Sequence, residues 1–415
     1  MVALAAQTGL ASPAEAAGQR YASPTGSGTS CTSAAPCALA TAVNGATSST
    51  EVIVTPGTYN MGATGLANSQ SALNVHGVAG QPRPVINSSA NTGLELKGSG
   101  VKVADLTINH TGALFGLNVF TTSITVQRVE VHSTAPIACF LGYSGLARDS
   151  LCVTGAANGV ALDDSWGSDT SVTNGALTLR NITAIATGTT SYGIRANAGD
   201  FANIDVNARN VIASGTQADV RATRTANNSD SDIVLNTSNY DLTQGAGNGV
   251  TITAAGSGTN QTAQPVFADT TGYHQALGSP TIDKGATDVS VGATDLDGGA
   301  RTVGTAPDIG ADEFVPDTTP PDVAFDHTPK HKTHKHRGIF TFHASEAVTF
   351  TCLVDTRPAL SCTSPFKATF KKRGKHTVTV VATDAAGNVD PAPATYTWKI
   401  RRKKKRHGHH PSRHR

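Results

Sequence analysis

The sequence predicts an all-β protein: a right-handed parallel β-helix, then a small Ig-like β-sandwich, then a disordered basic tail. Three observations carry this expectation. Short alternating apolar stretches recur along the middle of the chain, the composition favours strands over helices, and the charge changes sign near residue 315.

The repeat is the strongest signal. Alternating stretches open at Gly93, Gly116, Ala138, Gly159, Gly193, Ala218 and Gly249, as in Gly93-Leu94-Glu95-Leu96 and Gly193-Ile194-Arg195-Ala196. Each of the first six is followed by a second stretch, at 103–108, 126–131, 150–153, 177–185, 204–212 and 233–242. Asn181-Ile182, Asn210-Val211 and Asn239-Tyr240 recur at intervals of 29 residues. A period of about 22–34 residues holding two or three strands means stacked coils. Small-residue corners, with no helix-length segment between strands, exclude leucine-rich and α/β repeats. With neighbouring strands ~4.8 Å apart, seven or so coils predict a rod of about 34 Å. Two readings stand for Asn181, Asn210 and Asn239: an internal amide ladder at a corner, or residues that merely suit a turn.

Composition agrees with the repeat. The 415 residues are rich in Gly, Ala, Thr and Ser, with 5% aromatic and 15% charged residues, a balance that suits many short strands joined by small-residue turns. An open coil exposes unpaired edges and needs a cap. Residues 38–46 can form a short helix over the N-terminal mouth, with Leu39 and Val43 on one face.

Six cysteines fall into three close pairs, Cys31/Cys37, Cys139/Cys152 and Cys352/Cys362, without C-x-x-C spacing. Neighbour disulfides in an oxidising compartment are expected, against the alternative of buried free thiols. Residues 1–17 read as the remnant of a signal peptide, with Ala14-Glu15-Ala16 in the form of a cleavage site, although no basic n-region precedes it and the start codon is uncertain in position. No run reaches the ~18 apolar residues that span a bilayer. A secreted or envelope-associated protein is expected.

Tyr21-Ala-Ser-Pro-Thr-Gly-Ser-Gly28, the short helix, and Val52-Ile-Val-Thr-Pro-Gly-Thr-Tyr59 together resemble the opening of bacterial right-handed β-helix proteins of the pectate-lyase-like superfamily. Ser279-Pro-Thr-Ile-Asp-Lys-Gly285, and the segments from Thr294-Asp-Leu-Asp-Gly298 to Pro307-Asp-Ile-Gly-Ala-Asp-Glu-Phe314, look like their closing segment. The resemblance implies a β-helix with its caps over 18–315. Its activities are too varied to name a function.

Asp317-Thr-Thr-Pro-Pro-Asp322 reads as a stiff linker, 316–322. Over 323–400, strands are expected at 339–344, 348–354, 376–383 and 394–400. Glu346-Ala-Val-Thr-Phe-Thr-Cys352, Ser361-Cys-Thr-Ser-Pro-Phe366 and Val381-Ala-Thr-Asp-Ala-Ala-Gly-Asn388 resemble bacterial Ig-like repeats, which implies a spacer or adhesive role. Residues 1–315 carry 13 Lys+Arg and 23 Asp+Glu, whereas 316–415 carry 19 and 7, a division that implies modules with separate tasks. His327, His331, His334 and His336 lie among Lys330, Lys332, Lys335 and Arg337, which reads as a solvated basic loop because adjacent lysines repel a dication. The tail 401–415 has no apolar residue and is expected to be disordered and attractive to anionic polymers. No base-reading module accompanies it, so no specific nucleic-acid partner is expected.

Stacking aligns side chains into files. If Leu94, Leu117, Phe140, Val160, Ile194, Val220 and Val250 point inward, the next residues, Glu95, Asn118, Leu141, Ala161, Arg195, Arg221 and Thr251, point outward. A second outer file reads Lys97, Phe120, Tyr143, Asp163, Asn197, Thr223 and Thr253, with Trp166 at the following corner. Phe120, Tyr143, Trp166, Arg195 and Arg221 are the expected ligand-binding set, since rings stack on sugar faces and guanidinium groups pair with carboxylates. The expected partner is an acidic polysaccharide or cell-wall glycopolymer.

Catalysis is the competing expectation, with Asp163, Asp164, Arg195 and Arg221 as candidates for a polysaccharide lyase or glycoside hydrolase. Hydrolysis needs two carboxyls about 5–9.5 Å apart, and adjacent Asp163 and Asp164 point to opposite faces of a strand. A calcium-dependent lyase needs an acidic cluster on successive coils, which the sequence does not supply. Calcium at Asp295, Asp297 and Asp308 is the one metal option, with turn-forming aspartates capping the last coil as the alternative; otherwise no metal or cofactor is expected. A third reading is a structural spacer without a ligand.

Overall fold

Alternation in the repeats becomes strand because small and β-branched residues fit a pleated surface that is buried on one side. The computed structural model describes residues 18–165, 174–199, 203–225 and 229–402. Within it the chain divides into two compact units, Met1–Phe314 and Val315–Arg415. The expected signal remnant and most of the basic tail lie outside the described residues.

In the first unit eighteen strands join one sheet, and each strand pairs in parallel with its copy one coil along. Thr92–Leu96 pairs with the start of Phe115–Ser133, which pairs with Ile137–Thr154. This is a parallel β-helix. The long strands run over more than one face and turn corners within themselves. At the corners the backbone enters the left-handed region: Asp105, Arg128, Asp149, Asn181 and Asn210 have φ between 48° and 56° and stack in register. Asp and Asn tolerate that region through local hydrogen bonding.

The interior is filled by stacked apolar files, one of which runs Leu94, Leu117, Cys139, Leu162, Ile194 and Val220, all buried. Each such side chain stabilises the fold by about 1.5–3 kcal/mol relative to exposure. Cys139 and Cys152 lie on different walls of this interior and bridge across it. At the N-terminal mouth the helix Leu39–Asn44 buries Leu39, Ala42 and Val43, and Arg20 donates to the Thr41 and Ala42 carbonyls. The Cys31–Cys37 disulfide ties the preceding loop.

Two expectations need correction. The closing segment does not cap the last coil; it runs back along the corner file. Asp288 pairs with Arg180, Thr294 Oγ1 accepts from Arg128, and Asp297 pairs with Arg83, after which Gly310 donates to the Asn210 carbonyl. Once this strap covers the corner residues their outward polar groups leave water, and the strap supplies the partners that they then need. The amide ladder exists with different members. Asn210 Nδ2 donates to Asn181 Oδ1 at 2.9 Å, and Asn181 Nδ2 to Asp149 Oδ1 at 2.7 Å. Asn239 instead pairs opposite Ile212 and donates to the Ala263 carbonyl, because the coil after Asn210 shifts it two places past the corner.

The second unit is a β-sandwich. Val323–His327, Arg337–Ala344 and Phe366–Thr369 form one sheet. Lys332–Thr333, Ala394–Ile400, Gly374–Thr383, Thr349–Val354 and Leu360–Cys362 form the other. Phe340, Phe370, Val378, Val380 and Trp398 are buried in their shared core. The Cys352–Cys362 disulfide clamps neighbouring strands. The expected basic loop contains a strand: Lys332–Thr333 pairs with the end of Ala394–Ile400. Among the described residues no helix is long and apolar enough to cross a membrane.

Candidate functional site

The inward file fixes which residues face out, and the observed register replaces the expected one. Phe140 stands opposite Asn118 and Asp163, and Asp163 stands opposite Arg195, which is opposite Arg221. The true outer file is therefore Glu95, Asn118, Phe140, Asp163, Arg195 and Arg221, continued by Gln244. Phe140 is not inward, Cys139 is; the inward place expected for Val160 belongs to Leu162; and Val250 pairs with Ser231 on another face. Leu141 and Ala161 are buried rather than outward. The second expected file also dissolves, since Phe120 aligns with Gly142, Tyr143 with Thr121, and Asn197 with Ser165. The cause is unequal coil length: a one-residue slip in a strand exchanges its two faces.

The side chains brought together form a continuous surface. Phe115 stacks on Phe140 at 4.9 Å between centroids, Phe140 on Phe120 at 4.8 Å, and Phe120 meets Tyr143 at 4.2 Å, although Tyr143, expected on the ligand face, is instead buried with the core. Gly142 is required here: a Cβ would stand 2.3 Å from the Phe120 ring. Next along the file, Arg195 grips Asp163 in a two-pronged pair at 2.9 and 2.7 Å, while Ser165 donates to the same carboxylate. The Arg221 guanidinium lies 4.5 Å over the Tyr192 ring and has no ion pair among the described residues. On the other flank Asn118 donates to Glu95, which also pairs with Lys97. A pocket of about 380 Å³ lies beside them, lined by Asn44, Asn68, Gln70, Glu95 and Lys97. Buried Asn118 Oδ1, Arg221 Nε and Gln244 Oε1 have no hydrogen-bond partner among the described residues.

The two candidate acids are separated by the strand, as their adjacency implies. Asp163 faces out but is fully buried beneath its partners, and burial of Arg195 is outweighed by that carboxylate, which holds the guanidinium above its ordinary range. Asp164 faces the apolar interior, in register with Ala196. Burial and the adjacent Asp163 charge push its carboxyl well above the usual range, against one backbone hydrogen bond at Tyr143, and its Oδ2 has no partner among the described residues. Trp166 lies outside the described residues. Sequence reasoning missed Phe115, Phe140 and Tyr192. The recurrence of aromatics at 115, 120, 140 and 143 was the available signal.

The metal option at Asp295, Asp297 and Asp308 is not assembled. Asp297 lies with His274 and Asp312, the potential ligand atoms being within 4.8 Å of one another. His274 already bridges Asp269 and Asp297, and Arg83 pairs with Asp297, so protein cations already occupy the carboxylates a metal ion would need. Hydrogen bonding to Asp297 is the main cause that raises the His274 imidazole to about 10. Asp308 instead accepts from the Asp283 and Phe314 amides. The histidines of the basic segment do not converge either: His331, His334 and His336 each meet a different backbone carbonyl. Compared with known proteins, the chain matches no family model and no curated protein.

Proposed function

We propose that this is an exported or cell-surface protein whose β-helix binds an acidic polysaccharide along the Phe140–Arg221 face without cleaving it. The observation that carries the reading is the stacked ring ladder running into a file that contains Arg221, a cation without a carboxylate partner among the described residues. The rings stack on one another and so offer a sugar chain an apolar ridge of ring edges, and a guanidinium offers a uronate a two-pronged contact. Three disulfides suit an oxidising compartment. The resemblance of both ends of the β-helix to the pectate-lyase-like superfamily supports a glycan ligand. Binding is favoured over cleavage because Asp163 is locked by Arg195 and Asp164 is interior, which leaves neither carboxyl in reach of a substrate.

The test is incubation of the full chain with a panel of uronic-acid polymers. Retention without new reducing or unsaturated ends is expected. Phe120→Ala with Phe140→Ala, and separately Arg221→Ala, should each weaken retention about tenfold, the equivalent of one lost contact of about 1.4 kcal/mol. Release of ends would establish a lyase or hydrolase instead, and absence of both retention and cleavage would leave a structural spacer.

A further inference from the structure

The cations of the second unit are arranged in a way the fold alone does not need. Lys332 stands directly opposite Lys399, and Lys399 opposite Lys375, so three ammonium groups share one file across neighbouring strands. His376, Trp398 and Ile400 of the same strands point into the core, which sets the lysines on the outer face, and all three are exposed. Like charges directly opposite on a sheet destabilise it. No Lys or Arg of this unit makes an ion pair among the described residues, since Asp326 and Asp355 pair with His343 and His376, while Asp384 and Asp390 hold backbone amides.

Away from the file, a pocket of about 540 Å³ has the polar lining His327, Thr328, Lys330, Thr333, Lys335 and Arg337, with no acid among its lining residues. Thr333 follows Lys332 on the short strand and so turns its side chain to the opposite face from the file, while its carbonyl accepts from the Arg401 amide at 2.7 Å. From there the sequence continues as Arg402-Lys403-Lys404-Lys405-Arg406.

We propose that this unit is a second binding module, independent of the β-helix face, that holds a linear phosphate-bearing polymer outside the cell. The lysine file follows successive phosphates along the chain. Phosphate is favoured over carboxylate because the file consists of lysines alone, point charges suited to phosphate, and holds no guanidinium fork of the kind that matches a carboxylate in two prongs. Single-stranded nucleic acid is disfavoured, since every Phe, Tyr and Trp ring of this unit among the described residues is at least partly buried. The Cys352–Cys362 disulfide places the unit in an oxidising environment.

The test uses the full chain with inorganic polyphosphate as probe, alongside polygalacturonate, duplex DNA and anionic phospholipid vesicles. Polyphosphate is expected to bind most tightly. Lys332→Glu/Lys375→Glu/Lys399→Glu should weaken it at least tenfold and flatten its salt dependence. Lys330→Ala/Lys335→Ala, which leaves the file intact, should weaken it less, while polygalacturonate retention through the β-helix stays unchanged in both variants. If charge reversal prevents folding, judged by Trp398 fluorescence, the same three lysines changed to Gln provide the measurement. Parental polyphosphate affinity in the lysine-file variant would overturn the proposal. So would equal binding of DNA or vesicles that is lost through the same substitutions.

Discussion

At the scale of single residues, Asp164 is the clearest conflict with local chemistry. An aspartate in the apolar file of Leu141 and Ala196 gives up hydration, and Asp163 on the same strand adds a like charge. Its carboxyl titrates well above the unfolded value of about 3.9. Between these two values the folded chain holds a proton that the unfolded chain has released, so stability falls as pH rises through that window. The slope is about 1.4 kcal/mol per pH unit for one group. Asp164→Asn cannot ionise. Urea midpoints of the variant and parent should nearly coincide near pH 4, with the variant increasingly the more stable toward pH 8. A constant difference at all pH values would show that Asp164 does not titrate in this range.

At the scale of elements, the strands are held less by their own propensity than by what crosses between them. The Cys139–Cys152 bridge joins two walls of one coil and closes a loop with a sequence separation of 13. Closing a loop of that size restricts the unfolded chain by about 3 kcal/mol. Cys139→Ala/Cys152→Ala should lower the unfolding free energy of the β-helix by about that amount, as measured by urea denaturation followed through far-UV circular dichroism. The Asp149–Asn181–Asn210 ladder works differently, satisfying buried amides beneath the closing segment, where the Ala286 amide donates to Asn210 Oδ1.

At the scale of the whole molecule, each unit has its own hydrophobic core, one lined by stacked coils and one by Phe340, Phe370 and Trp398. Calorimetry should therefore resolve two transitions, and Cys352→Ala/Cys362→Ala should shift only one of them to lower temperature. A shift of both would mean that the units unfold as one. The acidic first unit and basic second unit fit a protein with two binding surfaces of different chemistry. The sequence by itself determined the fold class, the cysteine partners and the short helix at the N-terminal mouth, because period, neighbour spacing and amphipathic pattern are local quantities. It also placed Phe120, Arg195 and Arg221 on the β-helix surface as candidates, whereas Tyr143, placed there with them, is buried. Only the tertiary structure decided which residues share a file. Coil lengths vary from Ile137 to Val160 to Tyr192, and each added residue exchanges inside for outside, so Phe140 joined the outer face and Asp163 met Arg195 directly. The path of the closing segment and the alignment of Lys332, Lys399 and Lys375 were likewise decided there. Contacts between residues far apart in sequence depend on the register of every coil or strand between them, and no local pattern encodes that sum.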